Sequence, residues 1–284
     1  MAPLKRLRPN ITQSDLARYL ATQDDFALEL FAASEARRAG FDVTHGGTYE
    51  DPVTGKHRQF DVRAVYVRDS REVALAIECK ALRANFPLLV SRIPRSDAES
   101  KHDIIHTHRT YTPIPDYVPG GQITVSPSPV LYPAEAPVGK SMTQIGLNSE
   151  GEFVSSDSET YDKWAQALTS LSDLVAGGWR GHERSLRRDY VCVALPVLVI
   201  SDTTLWTVDY DAAGVITGGP CQQASVEHYV GRVYAGPGQH KFVSTHLHII
   251  TKSALARFLN QLANDPAHMD ALFPSADLPT SLVA

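Results

Sequence analysis

Gln59-Phe60-Asp61-Val62-Arg63-Ala64-Val65-Tyr66-Val67 and Glu72-Val73-Ala74-Leu75-Ala76-Ile77-Glu78-Cys79-Lys80-Ala81 are the two runs whose reading decides the fold. Both are rich in β-branched and apolar residues, and the polar, turn-like Arg68-Asp69-Ser70-Arg71 separates them. Two paired strands are predicted. Side chains alternate between the faces of a strand, so Glu78 and Lys80 point one way and Cys79 the other. Pairing about the turn brings Asp61, on the earlier strand, to the same end as Glu78.

Upstream of these strands, Thr22 with Asp25 three residues later reads as a capping box. A helix follows through Phe26, Leu30 and Ala33 to Arg38, and Gly40 is placed to stop it. Phe41 to Thr44 and a Gly46-Gly47 break lead into the strands, which gives a helix followed by a meander. Downstream, about 111–160 carries Pro113, Pro115, Pro119, Pro127, Pro129, Pro133 and Pro137. That density predicts a long insertion with little helix or central strand. Order resumes with a helix over Trp164 to Val175 and a doubly buried strand over Val191 to Ile200. Leu205 to Tyr210 is a further strand before the Asp211-Ala212-Ala213-Gly214 turn. His246 to Ile250 reads as another strand, and Ser253 as the cap of a helix from Ala254 to Leu262. Strands and helices alternate, so the class is α/β. The expectation is a single domain over 1–284, with its core in about 22–110 and 161–262.

Glu78 closes the apolar run Val73 to Ile77, where an unpaired charge would be costly to bury. Two neighbouring carboxylates repel unless a cation lies between them. Mg²⁺ suits that place because it takes oxygen ligands and keeps several waters. A metal there can acidify an attacking water and neutralise charge on a phosphodiester. Lys80 can orient the water or stabilise the pentavalent phosphorus. The backbone carbonyl of Cys79 is a candidate extra ligand.

Phe60-Asp61 followed by Glu78-Cys79-Lys80 resembles the signature of the PD-(D/E)xK nucleases, an Asp on one strand and Glu-x-Lys on the next. The wording of residues 41–61 is most similar to the restriction-like and Mrr-like branch. The Gln-rich helix of the RecB-like branch is not evident in 161–176. The resemblance implies a restriction endonuclease-like core: a helix, a three-stranded meander, a helix and a further strand, with a mixed central sheet. It implies Asp61, Glu78 and Lys80 as the catalytic centre. Many members also place a Glu on the first helix near the metal, and Glu29 matches that position. The implied ligands are Asp61, Glu78, Cys79 and Glu29, and the implied cofactor is Mg²⁺, with Mn²⁺ able to substitute. The implied activity is endonucleolytic hydrolysis of DNA in restriction or phage defence. A homodimer would serve cutting of both strands, and defence-system proteins would be partners. A different class of function fits the same fold: a catalytically silent subunit that binds nucleic acid.

Plainer readings compete for individual residues. Lys80 could be a surface lysine paired with Glu78, and Glu29 a solvated helix residue. His102, His106 and His108, with Lys101 and Arg109, lack the Glu of an HExxH zinc pattern and read better as a solvated or phosphate-facing segment. Tyr49 and Asp51 either line the cleft or form a turn with Pro52. Arg180, Arg184, Arg187 and Arg188 with His182 form a basic patch, either a solvated face or a contact for a nucleic-acid backbone. With 27 basic and 32 acidic side chains the net charge is −5, so bulk charge does not advertise a polyanion partner. Cys79, Cys192 and Cys221 are widely spaced, without a CxxC, which suggests neither a disulfide framework nor a cysteine zinc site. No run reaches the ~20 apolar residues that span a bilayer. The basic N-terminus lacks the apolar segment of a secretory signal. A cytoplasmic protein without membrane contact is the expectation.

Overall fold

The computed structural model describes residues 10–22, 24–51, 54–107, 121–156, 158–181, 190–235 and 241–274. In chain order the elements are α1 (Gln13–Thr22), α2 (Asp25–Arg38), β1 (Asp42–His45), β2 (Thr48–Glu50), β3 (His57–Gln59), β4 (Val62–Arg68), β5 (Arg71–Lys80), β6 (Leu88–Pro94) and β7 (Lys101–Thr107). There follow β8 (Gly121–Pro127), β9 (Pro137–Leu147), β10 (Phe153–Ser156), α3 (Ser158–Gly181), β11 (Tyr190–Ile200), β12 (Leu205–Asp209), β13 (Cys221–Gln222), β14 (Ser225–Ala235), β15 (Lys241–Thr251), α4 (Lys252–Asn264) and α5 (Pro266–Leu272). The class is α/β. One mixed sheet of 13 strands runs β1-β4-β5-β11-β15-β14-β9-β6-β12-β13, with β7, β8 and β10 attached at its side, and β2-β3 forms a separate hairpin. No helix among the described residues is long and apolar enough to cross a membrane.

The β4–β5 hairpin forms as the residues require. Asp69 and Ser70 both have positive φ, 49° and 63°, the geometry of a two-residue turn that matches strand twist. Arg68 pairs with Arg71, and the ladder runs to Val62 opposite Ile77. β1 lies antiparallel on the far side of β4. β11 runs parallel to β5 in register from Val191–Arg71 to Ile200–Lys80. That strand is buried on both faces, as its continuous apolar run requires. Alternation then divides the core. Val73, Leu75, Ile77 and Cys79 pack with α2 and α4, whereas Ala74 and Ala76 pack with Leu168 and Leu171 of α3. Helices therefore cover both faces at the centre of the sheet.

Several expectations need correction. The stretch about 111–160 is not a structureless insertion. β9 is an eleven-residue internal strand between β14 and β6, and β8 and β10 flank it in the chain. The prolines punctuate rather than interrupt: Pro127 ends β8, Pro137 opens β9, and the strand interior after it has none. Residues 111–120 lie outside the described residues. Ser253 is not a cap; α4 starts after Thr251, and the Ser253 N–H donates to Asp202 Oδ1 at 2.8 Å. A further helix, α5, follows it, capped by Asp265. Thr22 is likewise not the cap of α2. It ends α1, and Asp24 caps α2 by accepting from the Ala27 N–H at 2.8 Å. Gly40, with φ +95°, does follow the end of α2. The apolar stripe of α2 is rotated from the expected one. Leu28, Ala32, Ala33 and Ala36 are buried, while Phe26 and Leu30 are exposed.

Candidate functional site

Asp61 sits where two chains leave the sheet together. Gly46 (φ +69°) and Gly47 (φ +150°) break β1 from β2, and Phe60-Asp61 break β3 from β4. The two breaks face each other: the Gly46 N–H donates to Asp61 O and the Phe60 N–H to Gly47 O. A Cβ at Gly47 would lie 2.5 Å from the Phe60 ring, so only glycine lets this ring pack here. The consequence is a fixed carboxylate. Asp61 Oδ2 accepts from the Cys79 N–H at 2.8 Å, and the Asp61 N–H donates to Glu78 Oε1 at 3.4 Å. The two acids predicted to converge do so across the β4–β5 pair.

The cation beside them is Lys163, which the sequence reading did not single out. Its ammonium donates to Asp61 Oδ1 at 3.1 Å, Asp61 Oδ2 at 2.8 Å and Glu78 Oε2 at 3.3 Å. Lys163 stands near the start of α3, whose position over the sheet is set by polar anchors further along. Tyr49 Oη bonds Thr169 Oγ1 at 2.7 Å. Arg63 lies over the Phe60 ring at 4.0 Å, donates to Ser170 and pairs with Asp173 at 2.8 Å. Tyr49 is thus a strut between the β2–β3 hairpin and α3. Asp51 forms the turn, accepting from the Thr54 N–H at 3.1 Å and from Arg58 Nε at 2.8 Å.

Burial dominates the electrostatics. The Glu78 side chain is only 1% exposed. Burial and the neighbouring Asp61 charge push its pKa well above the usual carboxylate range, against the pull of Lys163. Burial works against the Lys163 ammonium too, but Asp61 and Glu78 outweigh it and hold its pKa above the ordinary lysine value. Glu29 is also raised, by burial first and then by the charge of Asp61. It is therefore within electrostatic reach of Asp61, and its Oε2 meets His45 Nε2 at 3.3 Å.

Lys80 follows Glu78 on the same face, as alternation requires, yet its ammonium reaches Asp25 Oδ2 at 3.3 Å rather than the acids. Asp25 Oδ1 also accepts from the Ala81 N–H at 2.6 Å. The N-terminus of α2 is thereby pinned to the end of β5. The Cys79 thiol is fully buried on the opposite face, where burial pushes its pKa up. Among the described residues no group of three or more His, Cys, Asp or Glu side chains is arranged to hold a metal. The donor chemistry still suits a hard cation held by two carboxylates, since Mg²⁺ commonly takes only one or two and completes its shell with water and phosphate. The Lys163 ammonium marks where positive charge is accommodated between them.

The remaining candidates lie elsewhere. His102 and His106 are buried in β7, so the expected solvated or phosphate-facing segment is corrected. His102 Nε2 bonds Leu272 O at 2.8 Å, a tie to α5. His108 and Arg109 lie outside the described residues, as do His182, Arg184, Arg187, Arg188 and the Arg180 side chain. The three cysteines are free thiols. No family model, curated protein or solved structure matches the chain.

Proposed function

We propose that this protein is a divalent-cation-dependent nuclease with a restriction endonuclease-like core, hydrolysing DNA phosphodiester bonds at the Asp61–Glu78 pair. One observation carries the reading: two carboxylates from adjacent strands converge on a single ammonium group at the end of a buried strand. A protein rarely buries two acids and a lysine together unless the charges are used, because desolvation costs several kcal/mol per ion. The order α2, β1-β4-β5, α3 and β11 supports it, being the order that the PD-(D/E)xK resemblance implies.

Asp61 and Glu78 would hold the cation, with the Cys79 carbonyl as an additional donor, while Glu29, bonded to His45, stands outside that set; such a cation would supply charge neutralisation at the phosphate and a more acidic water. Lys163 would then release the two carboxylates and could offer its ammonium to a non-bridging phosphate oxygen. Lys80, two residues beyond Glu78, would have to leave Asp25 to donate to the water that attacks phosphorus or to the oxygens that gain charge. The Cys79 N–H keeps Asp61 Oδ2 oriented throughout. A homodimer would allow both strands of a duplex to be cut, and restriction or phage defence is the proposed setting.

A second reading has its own observation. Lys163 already donates to both acids, so each carboxylate has a cationic partner without a metal. That is the state expected of a silent nucleic-acid-binding subunit. Incubating the protein with plasmid and single-stranded DNA in Mg²⁺, Mn²⁺ or EDTA separates the two. Cation-dependent cutting that disappears in Asp61→Asn and Glu78→Gln supports the nuclease. Salt-sensitive binding without cutting under any condition supports the silent subunit.

A further inference from the structure

A cavity of about 490 Å³ opens at the end of β5, with Lys80 in its wall. Two aromatic rings (Tyr19 and Phe86), two amides (Asn85 and Gln144) and the cations Lys80 and Arg83 line it, with Asp25 as the single acid. Its floor is fixed by several bonds. The Phe86 N–H donates to Arg83 O at 2.9 Å, closing a tight turn. Gln144 Nε2 donates to Phe86 O at 3.2 Å, and the Ile145 N–H to Pro87 O at 3.1 Å. The Phe86 ring lies directly over Gly146 of β9, where a Cβ would approach it to 2.5 Å. The ring is only half-buried and Arg83 is exposed, so both present surface to the cavity.

We infer that this cavity is a nucleotide-binding site that takes one unpaired nucleotide of the DNA strand lying across Asp61 and Glu78. Aromatic faces stack any base, the exposed Asn85 amide matches a base edge, and the exposed Arg83 guanidinium pairs with the adjoining phosphate. Lys80 is two residues beyond Glu78 on the same face, roughly 7 Å along the strand. The cavity therefore begins one short step from the acids. A base inside a duplex cannot enter such a recess; it must be single-stranded or extruded. The substrate class is accordingly an unpaired, single-stranded segment. This inference rests on the nuclease reading only for the placement of the scissile phosphate.

The test uses the full chain in EDTA, with a short single-stranded DNA carrying one fluorescent aminopurine. Stacking should quench the fluorophore, and a blunt duplex of the same sequence should not compete. Arg83→Glu reverses an exposed charge, and Phe86→Leu keeps bulk but removes the π face. Each should weaken binding roughly tenfold, with melting curves close to wild type. Undiminished quenching in both variants, or equal binding of blunt duplex, overturns the inference. Failure of the nuclease reading looks different. If quenching and its loss in the variants are seen but no DNA is cut in Mg²⁺ or Mn²⁺, the nucleotide site stands alone. If DNA is cut while both variants bind and cut single strands like wild type, the nucleotide site is wrong and the nuclease reading survives.

Discussion

Lys163 meets both acids because the start of α3 lies where β4 begins and β5 ends, and its removal tests what the cluster is for. Breaking a buried ion pair leaves uncompensated charge and costs about 3 kcal/mol or more. Lys163→Ala should therefore lower the melting temperature in EDTA. In the nuclease reading, Mn²⁺ should recover much of that loss, and should raise the variant's melting temperature more than the wild type's. A metal-insensitive variant would argue that Lys163 is a permanent partner of the acids. At the same scale, Asp61→Asn removes the charge while keeping an oxygen able to accept from the Cys79 N–H. We expect cutting to fall below detection while circular dichroism is unchanged. Residual cation-dependent cleavage by the purified variant would remove Asp61 from the centre.

Two short connections position these residues at the scale of elements. The β4–β5 turn places Asp69 and Ser70 at positive φ, a conformation that Asn-Gly adopts at lower cost. The double substitution Asp69→Asn, Ser70→Gly should stabilise the fold by about 0.5–1 kcal/mol, seen as a higher urea midpoint, without altering the site. The Gly46-Gly47 break behaves oppositely. Gly47→Ala would force a methyl against the Phe60 ring in a backbone region unfavourable to alanine. We expect a loss of about 1–3 kcal/mol, together with reduced activity, because Phe60 adjoins Asp61. Unchanged stability in Gly47→Ala would mean that the ring relaxes freely and does not brace the carboxylate.

Across the whole molecule, the mixed sheet buries histidines that must remain neutral. Burial lowers the pKa of His228 to about 4, His246 to about 2 and His248 to about 3, with nearby cations adding to the effect. His246 stacks on Tyr132 at 3.9 Å between centroids, and Tyr132 Oη bonds His248 Nε2 at 2.9 Å. The unfolded chain takes up these protons near pH 6.5 and the folded chain does not, so stability rises with pH through this window. It is fully present above about pH 6.5 and declines as the pH falls towards the folded values. Urea melts at pH 5.5 should give a stability lower than at pH 7.5 by about 1 kcal/mol per histidine. His246→Gln should reduce that difference. A flat profile between the two pH values would show that these rings accept protons in the folded state.

The primary sequence determined the parts of this protein that depend on near neighbours. Alternation put Glu78 and Lys80 on one face of β5 and Cys79 on the other. A four-residue turn set the register that brings Asp61 to Glu78, and continuous apolarity marked β11 as doubly buried. Proline content misled because Pro127 and Pro137 stand at the ends of their strands, where a missing N–H costs the ladder little, and this hid β9. The His-rich run about His102 and His106 looked solvated because burial of a polar side chain is decided by what packs on it. Only the tertiary structure decided the counterions. Lys163 reaches the acids from a helix about a hundred residues away, and Lys80 turns to Asp25 at the mouth of α2. An ion pair across such a separation carries no local periodicity; it exists because the sheet and α3 close over one another.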